Sequence, residues 1–253
     1  MAEGQFIGER YFLKDLVRGD IDFTQTDQRK HIPAPPLQKA CSSAFPRIDL
    51  PDGATSLREF ATMPVGIAML ERESVRNYAP TPITLAELSA LLWATQGVRR
   101  IVNEATALRT VPSAGSRHTF ETYLAVSRVE GLEPGLYRYL PFDHQLALRS
   151  PDPDISVKAA VACLNQRFVG KAAATFFWTT IPARMEWRYD RAAHKVIAID
   201  AGHVCQNLYL ACQSLDAGTC AIAAYDQKAC DELLGVDGIE EFTVYIAPVG
   251  KRQ

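Results

Sequence analysis

The chain has 253 residues, 47% of them apolar, and a formal net charge of −2. That length suits one large folded unit, or one with an appendage, with an ample core. The near-neutral balance excludes nucleic acid and anionic membrane as expected partners, since both call for a basic excess, and no uncharged apolar run is long enough to span a bilayer.

The N-terminus carries Glu3 and Glu9 and no apolar segment of the secretory kind, so a cytoplasmic location is expected. Pro33, Pro35, Pro36, Pro46, Pro51 and Pro64 crowd a stretch of weak periodicity. Residues 1–63 therefore read as a Pro-rich N-terminal extension of loop-like or extended parts, without a regular core element, wrapping the main body or a partner. The main domain is expected over residues 64–253.

Next comes Arg72-x-Ser74-x-Arg76. If the stretch is extended, these three side chains share a face that can hold a dianion; in a helix Ser74 would turn away. Alone, the spacing also suits a solvated charge run with local Arg/Glu pairing.

Thr84-Leu85-Ala86-Glu87 is a capping box opening a helix with Leu85, Leu88, Leu91 and Leu92 on one stripe and Gly97 at its end. Residues 121–127, 135–140 and 145–149 read as an antiparallel meander with short turns. From Asp154 a helix can be drawn with Val157, Val161, Leu164 and Phe168 inward. Residues 172–180 are an apolar strand, and 202–217 form a long helix with Val204, Leu208, Ala211 and Leu215 at helical spacing. Asp226 caps a short helix ending near Gly235, and 241–247 form the last strand. The pattern is α+β, a mainly antiparallel sheet flanked by helices.

The six cysteines form no C-x-x-C, and no histidine stands at zinc-ligand spacing from a cysteine pair, so no metal site is expected. G-x-G-x-x-G, the phosphate loop, G-x-S-x-G and H-E-x-x-H are all missing. If this is an enzyme, its reactive atoms should belong to a cofactor. Two small-residue passages would let backbone approach a flat ligand. They are Pro112-Ser113-Ala114-Gly115-Ser116 and Ala221-Ile222-Ala223-Ala224. Lys251-Arg252 adds two cations at the end. Each also reads as an ordinary connector or basic terminus.

Their order carries more. Arg72-x-Ser74-x-Arg76, the Pro112–Gly115 turn, Gly131-Leu-Glu-Pro-Gly-Leu-Tyr-Arg-Tyr139, Asp200-Ala-Gly-His203 with Gln206-Asn-Leu208, and Pro248-Val-Gly250 follow one another along the chain. In this the chain resembles the FMN-dependent nitroreductase family, and within it the SagB-type oxidoreductases, over residues 66–252.

The resemblance implies a nitroreductase-like fold and FMN at the interface of an intertwined homodimer. One subunit would supply residues 72–76, 221–224 and the C-terminus, and the other the 112–116 turn. Arg72, Lys251 and Arg252 are candidates for the phosphate, and Arg76 for the negative charge of the reduced ring. Ser74 is a candidate for the ribityl or ring edge, and the backbone of Ala221–Ala224 for N5. The implied function is an oxidoreductase taking hydride from NAD(P)H and passing it to a nitroaromatic, quinone or similar small conjugated acceptor. The alternatives are a SagB-like dehydrogenase oxidising azoline-containing peptides, or a flavin-binding protein with little turnover. Arg188-Tyr189 stands where the SagB-type enzymes carry Lys-Tyr, and is a candidate substrate contact.

Overall fold

A computed structural model describes residues 7–253; Glu3 lies outside them. The described helices are α1 (Ile7–Tyr11), α2 (Gly53–Phe60), α3 (Val65–Glu71), α4 (Leu85–Gln96), α5 (Ile155–Ala162), α6 (Ala183–Tyr189), α7 (Ala193–Ser214) and α8 (Gln227–Leu234). The strands are β1 (Arg47–Asp49), β2 (Val98–Asn103), β3 (Thr106–Arg109), β4 (Phe120–Val126), β5 (Gly135–Leu140), β6 (Gln145–Pro151), β7 (Ala174–Thr180), β8 (Ala217–Thr219) and β9 (Phe242–Lys251). Seven strands form one sheet in the order β1-β6-β5-β4-β7-β9-β8, every neighbouring pair antiparallel, and β2–β3 is a separate hairpin. This is the α+β architecture expected from the sequence. Among the described residues no helix is long and apolar enough to cross a membrane.

Strand alternation divides the core in two. Leu124, Phe176 and Trp178 pack on one side with Leu88, Leu91 and Leu92 of α4 and Val204 and Leu208 of α7. Tyr123, Ala125 and Phe177 face the other side with Ile155 and Ala159 of α5 and Cys230 and Leu234 of α8. Both faces of β4, β5 and β7 are buried, which is why these strands read as nearly continuous apolar runs. The capping box of α4 is present in full: Glu87 N–H donates to Thr84 Oγ1, and Thr84 N–H to the Glu87 carboxylate.

Three expectations need correction. The Pro-rich stretch does contain regular elements: β1 is the sheet edge against β6, and α2 packs on α4. Proline excludes the interior of a helix or a central strand; Pro46 and Pro51 instead flank β1 and precede α2, where no ladder or helix donor is lost.

Helix α5 buries the opposite stripe from the one expected. Ile155, Ala159 and Ala162 point in, whereas Val157, Val161 and Leu164 are 60%, 54% and 56% exposed. Two phases fitted the same period, and close packing against α8 and β4 selected the small side chains over the bulky ones.

Helix α7 begins nine residues earlier than expected, so Asp200 and Gly202 lie inside it rather than at its entry. Gly202 is exposed, with open space beyond its Cα, and its cost in helix propensity, about 1 kcal/mol, is carried by the packed turns on either side.

The segment from Ile32 to Ala40 lies along the body, held through its carbonyls. Arg184 Nε donates to Pro36 O, Arg109 Nη2 to Leu37 O, and Arg138 Nη2 to Lys39 O and Ala40 O, while Lys39 N–H donates to the Glu121 carboxylate. These three arginines are almost wholly buried. A proline-rich strand has few N–H groups to pair in a ladder but keeps every carbonyl, and guanidinium donors answer that surplus.

Candidate functional site

Residues 72–76 leave α3 without regular secondary structure, as the shared-face expectation requires. Two inward residues pin the stretch. Val75 N–H donates to Thr219 O, and the Val75 side chain fills the space over Gly218, where a Cβ would come within 2.4 Å of it. Tyr78, buried, bridges Arg252 and donates to Val75 O and Pro248 O. Ser74 and Arg76 therefore face outward.

Ser74 Oγ meets Tyr209 Oη at 2.9 Å, and the same phenolic oxygen accepts from Ala221 N–H at 2.8 Å. The Arg72 guanidinium stands 5.3 Å from the Tyr209 ring centroid and that of Arg76 5.8 Å from Phe168. Neither forms an ion pair among the described residues. A cleft of about 360 Å3 opens here, lined by residues 73–77, Arg252 and Gln253.

Arg252 turns toward this cleft, donating to Ala217 O and Gln213 Oε1, with Glu73 3.9 Å away. Lys251 faces the other way, because adjacent residues of β9 alternate; its ammonium pairs with Glu87 and donates to Leu215 O. The two terminal cations are thus not equivalent, and only Arg252 offers its charge beside residues 72–76.

In the 221–224 passage Ile222 is buried and exchanges two backbone hydrogen bonds with Ile246, and Ala221 N–H is engaged by Tyr209. Ala223 and Ala224 are exposed, and their N–H groups have no acceptor among the described residues. Ala223 borders a cleft of about 300 Å3 against Ala198, Ala201 and Gly202 of α7 and Val244 and Tyr245 of β9. Small side chains on both walls leave room for a flat group.

The 112–116 turn lies elsewhere in the same chain. Gly115 has φ of 56°, which favours glycine, and a Cβ there would fall 2.8 Å from Arg188 Cδ and Nε and from Tyr189 Oη, so a methyl would also have to displace the ends of both side chains. Ser113 Oγ accepts from His118 N–H. Ser113 and Ala114 lie against Asp200 of α7, whose burial raises its carboxyl above the ordinary range while their donors pull it back. Asp200 and Tyr209 are nine residues apart, roughly 13 Å along the helix at ~1.5 Å per residue. Within one chain the predicted residues therefore form two groups. Arg72, Ser74 and Ala221 meet at Tyr209, with Arg76 over Phe168, Arg252 across the adjoining cleft and Ala223 reaching back to residues 198–202 of α7. The 112–116 turn gathers with Arg188 and Tyr189 at Asp200.

His118, beside the turn, is buried, and that burial, reinforced by Arg109, pushes its pKa down to about 3. Sequence reasoning missed Tyr209. Its signal was a phenol on an otherwise aliphatic helix stripe, since a buried tyrosine hydroxyl usually has a polar partner.

A seven-stranded antiparallel sheet with a long central helix and an unpaired cationic stretch beside it defines a nitroreductase-like oxidoreductase. Residues 69–251 match the nitroreductase family model, and the chain belongs to the nitroreductase family. It is 33% identical over 184 residues to a nitroreductase-family protein of Methanocaldococcus jannaschii, covering 73% of this chain and 89% of the relative. A nitroreductase-family structure from Ralstonia eutropha superposes with a TM-score of 0.67 at 25% identity, over 87% of this chain and 99% of that one. The NADPH:FMN oxidoreductase of Vibrio harveyi, solved with NAD+, shares the fold at a TM-score of 0.53 and 16% identity, over 75% of this chain and 69% of its own.

Proposed function

We propose that this oxidoreductase is an FMN enzyme that accepts reducing equivalents from NAD(P)H and delivers them to a small conjugated acceptor such as a nitroaromatic or quinone. The observation that carries this reading is the meeting of Arg72, Ser74 and Ala221 at Tyr209, beside a cleft lined by Arg76 and Arg252. The guanidinium groups of Arg72 and Arg76, which form no ion pair among the described residues, suit a phosphate and other negative charge, and the exposed N–H groups of Ala223 and Ala224 suit a flat ring, so the residues present fit FMN.

When bound, FMN supplies two-electron exchange at its N5. Arg72 and Arg252 would hold the phosphate, and Arg76 would favour negative charge on the ring. Ala223 and Ala224 would donate their backbone N–H groups toward the ring edge. The V. harveyi enzyme of the same fold, solved with a nicotinamide nucleotide, supports the choice of donor class.

A homodimer belongs to the same proposal. Val65, Ile67, Met69 and Leu70 of α3 and Ile199 of α7 are exposed on two helices that touch, an apolar surface suited to a second copy. Pairing would also bring the Tyr209 group of one chain toward the Asp200 group of its partner. The azoline-oxidising alternative has less support, because an arginine stands at position 188 and a guanidinium does not serve as a base.

Purified protein should be yellow, and NAD(P)H should bleach it without oxygen. A protein that stays colourless after reconstitution with FMN overturns the proposal.

A further inference from the structure

We infer that the acceptor recognised by this protein carries a carboxylate or an equivalent oxyanion, held by Arg188 and Tyr189 beside the 112–116 turn. The inference rests on the oxidoreductase reading above and adds the substrate's charge to it.

Four observations converge. First, Arg188 is only half-buried, and its guanidinium has no hydrogen-bond acceptor and no carboxylate partner among the described residues. Its guanidinium carbon lies 5.6 Å from the ring centroid of its own successor, Tyr189. Second, the Tyr189 hydroxyl has no protein partner among the described residues either, and it converges with Arg188 Nε on Gly115. A fork of N–H donors beside a free phenol is a donor set that a planar carboxylate satisfies.

Third, further cations crowd the pair. Arg117, almost wholly buried, lies flat over Trp187 at 4.7 Å, donates to Arg184 O and Ala105 O, and keeps Nη2 without an acceptor. Arg188 and Arg184 both depress its pKa, after burial, which places these cations within one another's field. Fourth, the nearby acids face other groups, Asp200 among them: it lies buried against Ser113 and Ala114 with His203 3.8 Å away, and burial raises its carboxyl toward the neutral form. Glu121 pairs with Arg184, Glu186 with His194, and Asp190 lies beside Arg191. His118 stays neutral and adds no charge of either sign.

Holding Arg117 and Arg188 within one another's field, neither with a carboxylate partner among the described residues, costs folding energy that an anionic ligand would return. The flavin's own anionic parts are matched by the cations at Tyr209, roughly 13 Å along α7 at ~1.5 Å per residue. That leaves the Arg188 group for the second reactant. Its anion could belong to the acceptor or to the phosphates of the nicotinamide donor; the Tyr189 phenol and the flat Gly115 surface favour a small planar acid.

The test uses 4-nitrobenzoate and its neutral isostere 4-nitrobenzamide, titrated by calorimetry into the protein as purified, so that no turnover is needed. The acid should bind about tenfold or more tightly than the amide. Arg188→Gln should bring the two within about threefold, and Arg188→Lys should restore part of the preference. A preference that is absent, or that survives Arg188→Gln, overturns the inference.

A parallel arm compares KM for NADPH and NADH. If Arg188→Gln raises the NADPH value alone and leaves the acid preference intact, the anion is the donor's phosphate and the inference falls. Anaerobic bleaching by NAD(P)H, measured on the same preparations, reports separately on the oxidoreductase reading.

Discussion

Ser74 and Tyr209, 135 residues apart in sequence, meet through their hydroxyls at 2.9 Å, and the Tyr209 oxygen also accepts the Ala221 amide. One phenol therefore ties the outward-facing stretch after α3 to the strand-to-helix passage after β8. Replacing it by phenylalanine keeps the ring under Arg72 but strands the amide of Ala221. We expect Tyr209→Phe to lose about 1–3 kcal/mol of stability and to weaken FMN binding severalfold. Chemical denaturation and a flavin fluorescence titration would measure both; unchanged FMN affinity would show that the tie has no part in the cradle.

Arg72 and Arg252 test the phosphate assignment. Arg72→Ala should reduce FMN affinity more than tenfold, the equivalent of roughly 1.5–3 kcal/mol for one charge-assisted contact. The loss should shrink as salt is raised, because the contact lies near solvent. Equal retention of FMN by the variant and the native protein at low salt would refute the assignment.

Lys251 and Arg252 should part company when each is changed to methionine. Lys251→Met leaves Glu87 largely buried with its capping role but without its cation, so thermal stability should fall while FMN affinity changes little. Arg252→Met should lower FMN affinity, and its stability cost should be that of its bonds to Ala217 O and Gln213 alone. Identical behaviour of the two variants would contradict the alternation seen at the end of β9.

Gly115→Ala confronts a backbone in the left-handed region and two side chains at 2.8 Å. The expected cost is at least 1–2 kcal/mol from the conformation alone, with more from displacement of Arg188 and Tyr189. A melting temperature within one degree of the native value would show that the turn tolerates the methyl.

His118 gives the pH dependence a sign. Its folded pKa, about 3, lies below the ordinary 6.5, so between those values the unfolded chain binds a proton that the folded one refuses. Stability should be full above pH 6.5 and decline as pH falls toward 3, by at most about 1.4 kcal/mol per unit from this group. Asparagine tolerates the positive φ at this position, so His118→Asn should flatten the decline between pH 6.5 and 4.5 in urea melts. A slope identical to the native one would exclude His118 as its source.

Much of the fold could be read from local chemistry. The capping box of α4, the alternating strands and the Asp226 cap with left-handed Gly235 are each set by residues close in sequence. Where two readings shared a period, as in α5, only tertiary packing could choose between them. The cationic stretch and the two small-residue passages were legible as site candidates, but their division between Tyr209 and Asp200 was not, since it depends on where α7 begins.

With the last strand expected to end at residue 247, Lys251 and Arg252 read together as one basic terminus. The strand continues past residue 247. Val249 O accepts from Ala173 on the β7 side, so alternation turns the Pro248 nitrogen toward β8, which has already ended at Thr219. No ladder donor is missed there, and the strand runs on to separate the two cations.

The carbonyls of Pro36, Leu37, Lys39 and Ala40 are the acceptors for guanidinium groups of Arg184, Arg109 and Arg138. Shortening the gene to begin at residue 64 would therefore leave three desolvated cations facing the vacated groove. For expression work this reverses the usual instinct to trim a proline-rich stretch: the part with little secondary structure supplies the acceptors for the buried guanidinium groups.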